Sequence, residues 1–280
     1  MNYRHAYHAG NFADVFKHIL LTRIVSYLQR KDKPFRVFDT HGGLGLYDLR
    51  SEEAQSTEEA GLGIGKLKNA NVPKAVSDLI EPYLNIVNKH GDDKYPGSPV
   101  IIHELLRKID RLTIYELHGE DSHALGKLFS DDYQTRVYPS DGWLVSVSHI
   151  PPKEGRGLIL VDPPFEDGND FNRMLELVKN TNQRWRGATV ALWYPVKKRS
   201  HTDDWLESIR LLRLPDVIAA ELYIQAPHSA RSLNGCGMVI VNPPYVMKSE
   251  IETVLPWLST VLSQGQGSGY RVLDLSASKN

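Results

Sequence analysis

Short apolar runs recur along the chain, and most of them end on an acidic residue or on a glycine-rich turn. Five such runs cover residues 35–38, 112–115, 135–138, 157–161 and 188–193. Their length and their content of β-branched and aromatic residues are typical of buried strands. The segments between them are long enough to hold a crossover helix, which parallel strands require. The pattern therefore predicts an α/β fold built on a parallel sheet.

Two further apolar runs, at 219–226 and 237–241, lie too close together for a helix to connect them. Strands joined in this way must be antiparallel, because a parallel return needs about a dozen connecting residues or more. We therefore expect a mixed, doubly wound sheet of seven strands with an antiparallel last strand, which is a Rossmann-like fold. A chain of 280 residues is long enough for one such domain and an insertion.

One long segment interrupts the alternation of strands and helices. Residues 46–108 show no convincing strand and carry helical patterns, the clearest of them over 72–90. We expect a helical insertion, because connections of this length usually carry structure or function of their own. The predicted division is a Rossmann-like domain of residues 1–45 and 109–280, with the insertion at 46–108. An amphipathic helix is expected over 11–31, and residues 269–280 are expected to be frayed.

Composition and charge narrow the function classes. No apolar run approaches the ~20 residues of a membrane span, and the polar N-terminal sequence MNYRHAYHAGNF lacks the apolar core of a signal peptide. Cys236 is the single cysteine, so we expect no intramolecular disulfide, a cytoplasmic location and no membrane partner. The formal net charge of −1 provides no global attraction to nucleic acid, and such binding would have to come from local basic clusters.

In sheets of this kind, ligands bind beyond the carboxyl ends of the parallel strands, so the residues that follow each strand are candidates for a cofactor site. The first three strands are followed by a glycine turn that includes Gly43, by Glu116, and by Asp141-Gly142. The glycine turn lets a ligand approach the backbone closely, Glu116 could accept ribose hydroxyls, and Asp141 could bind an adenine amine. A tight turn, a solvated acid and a simple Asp-Gly turn are the structural alternatives. The acids that end strands one, two and three, together with the glycines, match a nucleoside-type cofactor better than a pyrophosphate. The sequence also contains no Lys-Ser/Thr phosphate loop.

The strongest chemical signal is Asp162-Pro163-Pro164-Phe165, which follows the fourth run. Two consecutive prolines cannot serve a central ladder, so they end the strand in a rigid turn. We expect this turn to place the Asp162 carboxylate beside the Pro163 carbonyl. Two acceptors that hold both hydrogens of an exocyclic adenine amine favour a pyramidal nitrogen, whose lone pair can attack a methyl sulfonium. Phe165 would supply a ring face for a flipped base, worth ~1–3 kcal/mol. A strand-ending turn without a catalytic role is the alternative.

A second sequence of the same type, Asn242-Pro243-Pro244-Tyr245, also follows an apolar run. Asn-Pro-Pro-Tyr is likewise a motif of amino-methyltransferases. The strand before it is the antiparallel one, so its carboxyl end points to the opposite edge of the sheet from the other candidates. We therefore interpret this second motif as a structural turn.

Several segments together resemble one bacterial family over essentially the whole chain. They are YRHAYHAGNFADVFKH, DTHGGLGLYDL, YPGSP, YELH, DGW, LILVDPPF, ALWYP and GMVIVNPPY. In combination they are similar to the 23S ribosomal RNA adenine-N6 methyltransferases of the RlmJ family, some relatives of which carry a label for use of external DNA as a nutrient. The resemblance implies a Rossmann-like enzyme with a small helical insertion. It also implies that S-adenosylmethionine, without a metal, donates a methyl group to N6 of one adenosine of 23S rRNA and leaves as S-adenosylhomocysteine.

The same resemblance implies roles for individual residues. His18 and His41 would contact the methionine part of the cofactor, Ser98, Glu116, Asp141 and Gly142 would contact the rest of it, and Asp162 would be the catalytic acceptor. Tyr3 would lie near the substrate base. The chain departs from the family at Phe165, where tyrosine is usual. Stacking survives this change, but a hydrogen bond from a phenol hydroxyl is lost.

Basic clusters supply candidates for contact with RNA. Lys197, Lys198 and Arg199 follow the fifth strand, so the topology puts them on the cofactor side of the sheet. A solvated basic loop is the alternative explanation for this cluster. The other candidates are Arg4, Lys17, Arg23, Arg184 and Arg186. We expect a monomeric enzyme whose partner is 23S rRNA, either naked or in an assembly intermediate.

Three other functions fit parts of the pattern. A related motif serves methylation of DNA adenine and of protein glutamine. A non-catalytic factor that binds or takes up external DNA is a different class. The near-neutral charge argues against this last function, because a binding module without chemistry has no need for a turn of acid, two prolines and an aromatic residue.

Overall fold

The structure, a computed structural model, describes residues 5–166, 168–227 and 232–278. The strands in this part of the chain are β1 (Arg36–Asp39), β2 (Leu46–Asp48), β3 (Lys94–Pro96), β4 (Arg111–Tyr115), β5 (Thr135–Tyr138), β6 (Gly157–Val161), β7 (Thr189–Val196), β8 (Val217–Tyr223), β9 (Gly235–Val241) and β10 (Gly269–Asp274). The helices are α1 (Phe12–Gln29), α2 (Glu52–Thr57), α3 (Lys66–Lys68), α4 (Lys74–Lys89), α5 (Ser98–Leu105), α6 (Gly119–Leu128), α7 (Val145–Ser148), α8 (Asp170–Arg184), α9 (Arg199–Arg210) and α10 (Met247–Val261).

The main sheet is mixed and has the order β10-β8-β9-β7-β6-β1-β4-β5. Strands β5, β4, β1, β6 and β7 are parallel to their neighbours in this group, whereas β9 is antiparallel to both β7 and β8. Because β1 lies between β4 and β6, the direction of strand addition reverses at β1, and this is where a ligand crevice forms in such sheets. The predicted Rossmann-like class is confirmed. The predicted number of seven strands is wrong, because an eighth strand, β10, lies at the edge.

Strand β10 overturns the expectation that the chain is frayed from residue 269 onward. It pairs with β8 in antiparallel register, from Gly269 opposite Tyr223 to Asp274 opposite Ile218. The side chain of Arg271 on β10 donates to both carboxylate oxygens of Glu221 on β8, which is completely buried. Buried Tyr194 also donates to Glu221, at 2.8 Å. A local pattern could not reveal this strand, since its cation finds its partner fifty residues earlier in the chain.

Helix α1 lies within the predicted range of 11–31 but is not amphipathic in the expected way. Nearly all of its residues are buried, because the sheet covers one face while α4, α5 and α10 cover the others. The helix begins after Asn11, whose side-chain oxygen accepts from the backbone N–H groups of Ala13 at 2.9 Å and Asp14 at 3.0 Å. Three ionisable residues of this helix are buried: Asp14, Lys17 and His18. Their side chains contribute to the site described below.

The segment 46–108 is mainly helical, as expected, but it also contains two short strands. β2 and β3 form a separate antiparallel pair, with Tyr47 opposite Tyr95. Strands of three residues are too short for their alternation to be recognised in a sequence. The buried side chains of this segment, such as Ile64, Ile80 and Tyr83, belong to the same core cluster as those of α1. In the described ranges, no helix has the length and apolar character needed to cross a membrane.

The ion pair between Arg271 and Glu221 should stabilise the edge of the sheet. The substitution Arg271→Met should lower the free energy of unfolding by roughly 3 kcal/mol, because it leaves a buried carboxylate without its cation. The double substitution Glu221→Gln with Arg271→Met should recover part of that loss, since neither charge remains. Urea denaturation measures both values, and Lys179→Ala, which removes an exposed ion-pair cation of α8, is the matched control. Equal losses in the single and double variants would contradict this role.

Candidate active site

A cavity of about 370 Å³ opens at the carboxyl edge of the parallel strands. It is within the usual range of small-molecule sites, about 300–1,000 Å³. Its walls come from the ends of four strands and from α1: the turn after β1, Glu116 after β4, the diproline turn after β6, the end of β7, and the first turns of α1. Residues of the N-terminal segment, His5, His8 and Asn11, complete the lining.

Most of the sequence-predicted site residues meet at this cavity. Those that line it are His18, His41, Gly43, Ser98, Glu116, Asp162, Pro163, Phe165 and Lys197. Asp141, Gly142, Lys198 and Arg199 do not line it. Tyr3 and Arg4 lie outside the described residues. The sequence therefore predicted the ends of the strands well and the flanking loops less well.

Asp141 and Gly142 lie beside the cavity wall and shape it from behind. The side chain of Asp141 accepts from the backbone N–H of Trp143 at 3.0 Å and so caps a short helical turn, Gly142–Leu144. A Cβ atom at Gly142 would lie 1.9 Å from the carbonyl oxygen of Thr40, so only glycine allows this close approach. The ring of Trp143 in turn meets that of His41 edge-on, with centroids 5.4 Å apart.

Asp162 is part of a buried ion cluster. Its Oδ2 lies 2.5 Å from the Lys17 ammonium, which is also 2.9 Å from Asp14 Oδ1. Burial opposes a charge on Lys17, but attraction to Asp14 and Asp162 raises its pKa well above the usual lysine value. Burial likewise opposes a charge on Asp14, but His5 and Lys17 hold its pKa well below the usual range. In the described part of the chain, no group donates a hydrogen bond to Asp162 Oδ1.

Three of the candidate RNA contacts form bonds within the protein instead. Lys17 is only 5% exposed and holds two carboxylates, so its prediction as a phosphate ligand is wrong. Arg23 forms two hydrogen bonds with Glu250 of α10, and Arg184 donates to the carbonyl oxygen of Ser146 at 2.9 Å. The sequence shows these cations, but it does not show the distant acceptor groups to which they are hydrogen-bonded.

His18 lines the cavity and is held by a chain of two tyrosine hydroxyl groups. Its Nδ1 lies 2.7 Å from the Tyr95 hydroxyl, which lies 2.9 Å from the Tyr83 hydroxyl. Both tyrosine protons find an acceptor if Tyr83 donates to Tyr95 and Tyr95 donates to Nδ1. The imidazole then carries its proton on Nε2, a buried atom without a hydrogen-bond partner among the described residues. Burial lowers the pKa of His18 well below its usual value, so the ring is neutral.

His41 presents the opposite tautomer. The Thr40 hydroxyl donates to the carbonyl oxygen of Leu160 at 2.9 Å and lies 2.8 Å from His41 Nδ1. A hydroxyl has one proton, so Thr40 must accept from Nδ1–H, and Nε2 of His41 is left with a lone pair. Burial lowers the pKa of His41 to about 4, which keeps the ring neutral near pH 7.

Glu116 is held by backbone donors beside the glycine turn. One carboxylate oxygen accepts from the N–H of Gly43 at 2.8 Å and the other from the N–H of His118 at 2.7 Å. Burial raises its pKa. Gly43 has a φ of +58°, and a Cβ atom there would lie 2.2 Å from the Tyr47 hydroxyl. The turn therefore needs glycine both for its conformation and for its space.

Asp39 is a buried carboxyl to which the sequence assigned no individual role. It ends β1, is completely buried and has Ser98, Lys17 and Asp162 as electrostatic neighbours. Its Oδ1 lies 3.4 Å from the backbone nitrogen of His41. Burial raises the pKa of Asp39 to about 6, whereas Ser98 and Lys17 act in the opposite direction.

Phe165 forms an aromatic wall with two neighbours. Its ring centroid is 5.0 Å from that of Phe171 and 5.8 Å from that of Trp193, which also lines the cavity. Phe165 has a φ of +55°, a conformation that costs free energy for a residue with a side chain and that is found preferentially at functional sites. Sequence reasoning missed Trp193, although it lies in the ALWYP segment.

The N-terminal segment is anchored over the cavity by polar contacts. His5 lies 2.9 Å from Asp14, and His8 lies 3.0 Å from Glu59 of the insertion. Asn11 also donates to Glu59, at 2.9 Å. The one sequence signal for these residues was the distinctive N-terminal block YRHAYHAGNF.

The second motif lies at the other edge of the sheet, as strand direction predicted. It follows β9, which is antiparallel to β7, and none of its residues lines the cavity. The Asn242 side chain donates to the carbonyl oxygens of Arg186 at 2.8 Å and Ala188 at 2.9 Å. The motif therefore lies away from the cavity, and Asn242 connects neighbouring backbone segments.

Comparison with known proteins gives consistent matches. The family model described as "Ribosomal RNA large subunit methyltransferase D, RlmJ" matches residues 32–273. The chain is 35% identical over 272 residues to ribosomal RNA large subunit methyltransferase J of Haemophilus influenzae, with 96% of each chain covered. It is 36% identical over 267 residues to the protein of that name from Escherichia coli K12, with 94% of each covered. A crystal structure of a Legionella pneumophila protein matches with a TM-score of 0.85 at 34% identity, covering 95% of this chain and 98% of that one.

The buried carboxyl of Asp39 should make stability depend on pH. Its pKa rises from 3.8 in the unfolded chain to about 6 in the folded one, so the folded state binds the proton more tightly and stability falls as the pH rises through this window. Asp39→Asn removes the effect. The variant's stability relative to the wild type should therefore increase by up to about 3 kcal/mol between pH 4 and pH 7.

Urea denaturation of both proteins across this pH range checks the prediction. His41 has the opposite dependence, because its low pKa makes stability fall as the pH drops below about 6.5. It is present in both proteins and cancels in the difference. A difference that does not vary with pH would show that Asp39 ionises normally.

Proposed function

The chain belongs to the RlmJ family of ribosomal RNA large subunit methyltransferases, and from that premise we propose that it transfers a methyl group from S-adenosylmethionine to N6 of one adenosine in 23S rRNA. The observation that carries this proposal is the Asp162-Pro163 pair at the cavity. Asp162 is fixed on one oxygen by Lys17, and its other oxygen remains available to an amine.

The two histidines fit the methionine part of the cofactor. An amino acid carries a carboxylate, which needs donors, and an ammonium, which needs acceptors. Both residues line the cavity. The inferred tautomers put a proton on Nε2 of His18 and a lone pair on Nε2 of His41. The neutral state of both rings avoids repulsion of a sulfonium. This pairing of tautomers supports the assignment of both residues to the methionine end.

The nucleoside part of the cofactor fits the residues that follow β4 and β5. The Glu116 carboxylate lines the cavity and keeps lone pairs for ribose hydroxyls besides the two backbone donors that it holds. Ser98, at the start of α5, and the close backbone approach at Gly43 lie on the same wall. We assign Asp141 and Gly142, behind His41, to the adenine end.

Catalysis rests on positioning and electrostatics. The target adenosine leaves its stack and enters the cavity. Asp162 Oδ1 and the Pro163 carbonyl oxygen accept hydrogen bonds from the two N6–H groups. The nitrogen lone pair is then available to attack the methyl group. When bound, S-adenosylmethionine supplies an electrophilic methyl group on a sulfonium. After transfer, the cationic N6 loses its extra proton to Asp162 or to solvent.

Lys17 orients the acceptor. Its ammonium holds Asp162 Oδ2, so the carboxylate cannot rotate freely and Oδ1 keeps one direction. The same ammonium balances the charges of Asp14 and Asp162 in a place where uncompensated charge would be costly. Lys17 is a positioning residue in this scheme.

Phe165 and the basic residues after β7 are assigned to the adenine ring and to the RNA backbone near it. The ring of Phe165, braced by Phe171 and Trp193, offers a stacking face for the adenine. Lys197 lines the cavity and is exposed, so we assign it to a phosphate near the target, together with Lys198 and Arg199. The Arg199 guanidinium lies over the Tyr223 ring, 5.0 Å from its centroid. Tyr3 is proposed to meet the substrate base.

A direct assay tests the activity and its substrate. The protein is incubated with labelled S-adenosylmethionine and either naked 23S rRNA, assembled large ribosomal particles or duplex DNA. We expect label in naked 23S rRNA, at N6 of a single adenosine after nuclease digestion. Label in DNA alone would overturn the substrate, and no label in any of the three would overturn the proposed activity.

Asp162 should be essential for transfer but not for cofactor binding. Asp162→Ala should lower kcat by at least about 1,000-fold, because one of the two acceptors for N6 is lost. Its affinity for S-adenosylhomocysteine, measured by calorimetry, should stay close to that of the wild type. Asn242→Ala, in the other diproline turn, is the control and should retain kcat. Substantial turnover by Asp162→Ala would refute its catalytic role.

The affinity for RNA should depend on an aromatic ring at position 165 and not on a hydroxyl group on that ring. Phe165→Leu should raise KM for RNA by about 5-fold or more, since stacking on an aromatic ring contributes ~1–3 kcal/mol. Phe165→Tyr should stay near the wild-type value. Steady-state kinetics with a fixed excess of cofactor measure both variants, and an unchanged KM in Phe165→Leu would exclude base stacking at this residue.

A further inference from the structure

The edge of the main sheet opposite the cavity carries an excess of positive charge. We call this edge the amino edge. It consists of the turns that precede the parallel strands and β8, together with the turn that follows β9. These turns are residues 31–35, 107–110, 131–134, 153–156, 184–187, 210–216 and 242–248. These turns contain eleven lysine and arginine residues against six aspartate and glutamate residues. The whole chain has 33 against 34. The cations are therefore concentrated at this edge.

Hydrogen bonds join these turns into one continuous surface. They run from Arg107 to the carbonyl oxygens of Lys31 and Lys33, from Arg156 to Lys33, from Trp185 to Gly155, and from Asn242 to Arg186 and Asp216. Their order follows the order of the strands from β4 to β8. At ~4.8 Å per strand, the surface is about 24 Å long.

Most of the cations on this surface are available to a partner. Arg107 and Arg156 use their guanidinium groups on the backbone of the protein itself. The side chains that are exposed and have no ion-pair partner within 4 Å in the described part of the chain are Lys31, Lys33, Lys108, Lys153, Arg186, Arg213 and Lys248. A row of unpaired cations of this length fits a polyanion.

An aromatic ring lies among these cations. Tyr245 is 93% exposed and therefore contributes little to the core. The turn that presents it is rigid: Asn242 has a φ of +48° and is held by hydrogen bonds to two neighbouring segments, residues 186–189 and Asp216. Two prolines follow it. A fixed, exposed ring beside unpaired cations is the combination that single-stranded nucleic acid recognises.

We propose that the amino edge is a second RNA-binding surface, on which phosphates contact the exposed cations and an unpaired base stacks on Tyr245. The proposal rests on the proposed function for the choice of RNA as partner. The parallel strands, of about five residues, separate this edge from the cavity by ~17 Å. A long RNA reaches both surfaces, whereas an oligonucleotide with only the target adenosine and its immediate neighbours reaches the cavity alone.

Binding measurements test the surface without relying on catalysis. Fluorescence anisotropy at several salt concentrations gives Kd for a long 23S rRNA transcript and for the short oligonucleotide. Tyr245→Ala should weaken binding of the long transcript by about 5-fold or more, given the usual stacking contribution. Arg186→Ala with Lys248→Ala should lower the slope of log Kd against log salt by about 1.4, or ~0.7 per lost phosphate contact. Binding of the short oligonucleotide should not change.

Matched controls separate this surface from general effects. Tyr270→Ala removes an exposed ring of β10, and Lys89→Ala with Lys179→Ala removes two exposed cations elsewhere. Neither should alter binding of the long transcript. Wild-type affinity of the amino-edge variants for that transcript would overturn the proposal and favour an acidic protein as partner, and equal weakening for both RNAs would also overturn it. If the wild-type protein binds RNA but transfers no methyl group, only the proposed function fails.

Discussion

The buried ammonium of Lys17 is the interaction on which the cavity depends. It lies between Asp14 of the same helix and Asp162 of the diproline turn, within 2.9 Å and 2.5 Å of their carboxylates. Charges removed from water must be compensated by partners in good geometry. Helix α1 and the end of β6 are therefore held in one relative position, and the orientation of the acceptor follows from the packing of the core. This also explains why a helix that is largely buried retains ionisable residues.

The N-terminal segment that lines the cavity is held by contacts with the insertion, a distant part of the chain. The insertion covers the outer face of α1 and holds the N-terminal segment through Glu59, which binds His8 and Asn11. The approach of the two segments is close: a Cβ atom at Gly63 would lie 2.2 Å from the carbonyl oxygen of Gly10. Small residues in the π-helical stretch Gly61–Gly65 thus serve packing, and the insertion completes a site to which it contributes few polar groups of its own.

Two similar turns have different roles because their strands run in opposite directions. The turn at Asp162 ends a parallel strand, so it meets the other strand ends at the cavity. The turn at Asn242 ends an antiparallel strand. Its side chain donates to the carbonyl oxygens of Arg186 and Ala188, and its backbone N–H donates to that of Asp216. The first turn places Asp162 at the cavity, and the second exposes Tyr245. The direction of the preceding strand decides whether the side chains of such a motif reach the cavity.

The amino-acid sequence by itself determined the positions of the seven runs that became strands and the antiparallel direction of β9, and it selected Asp162 as a candidate, because these follow from local patterns and short connections. It did not reveal β10, the two strands of the insertion, the burial of Lys17 or the tautomers of His18 and His41. Each of these depends on partners far away in the chain; Lys17 and Asp162 are 145 residues apart. Only the tertiary structure decides such contacts, since the free energy of a buried charge or of a fixed tautomer is set by the groups that folding brings around it.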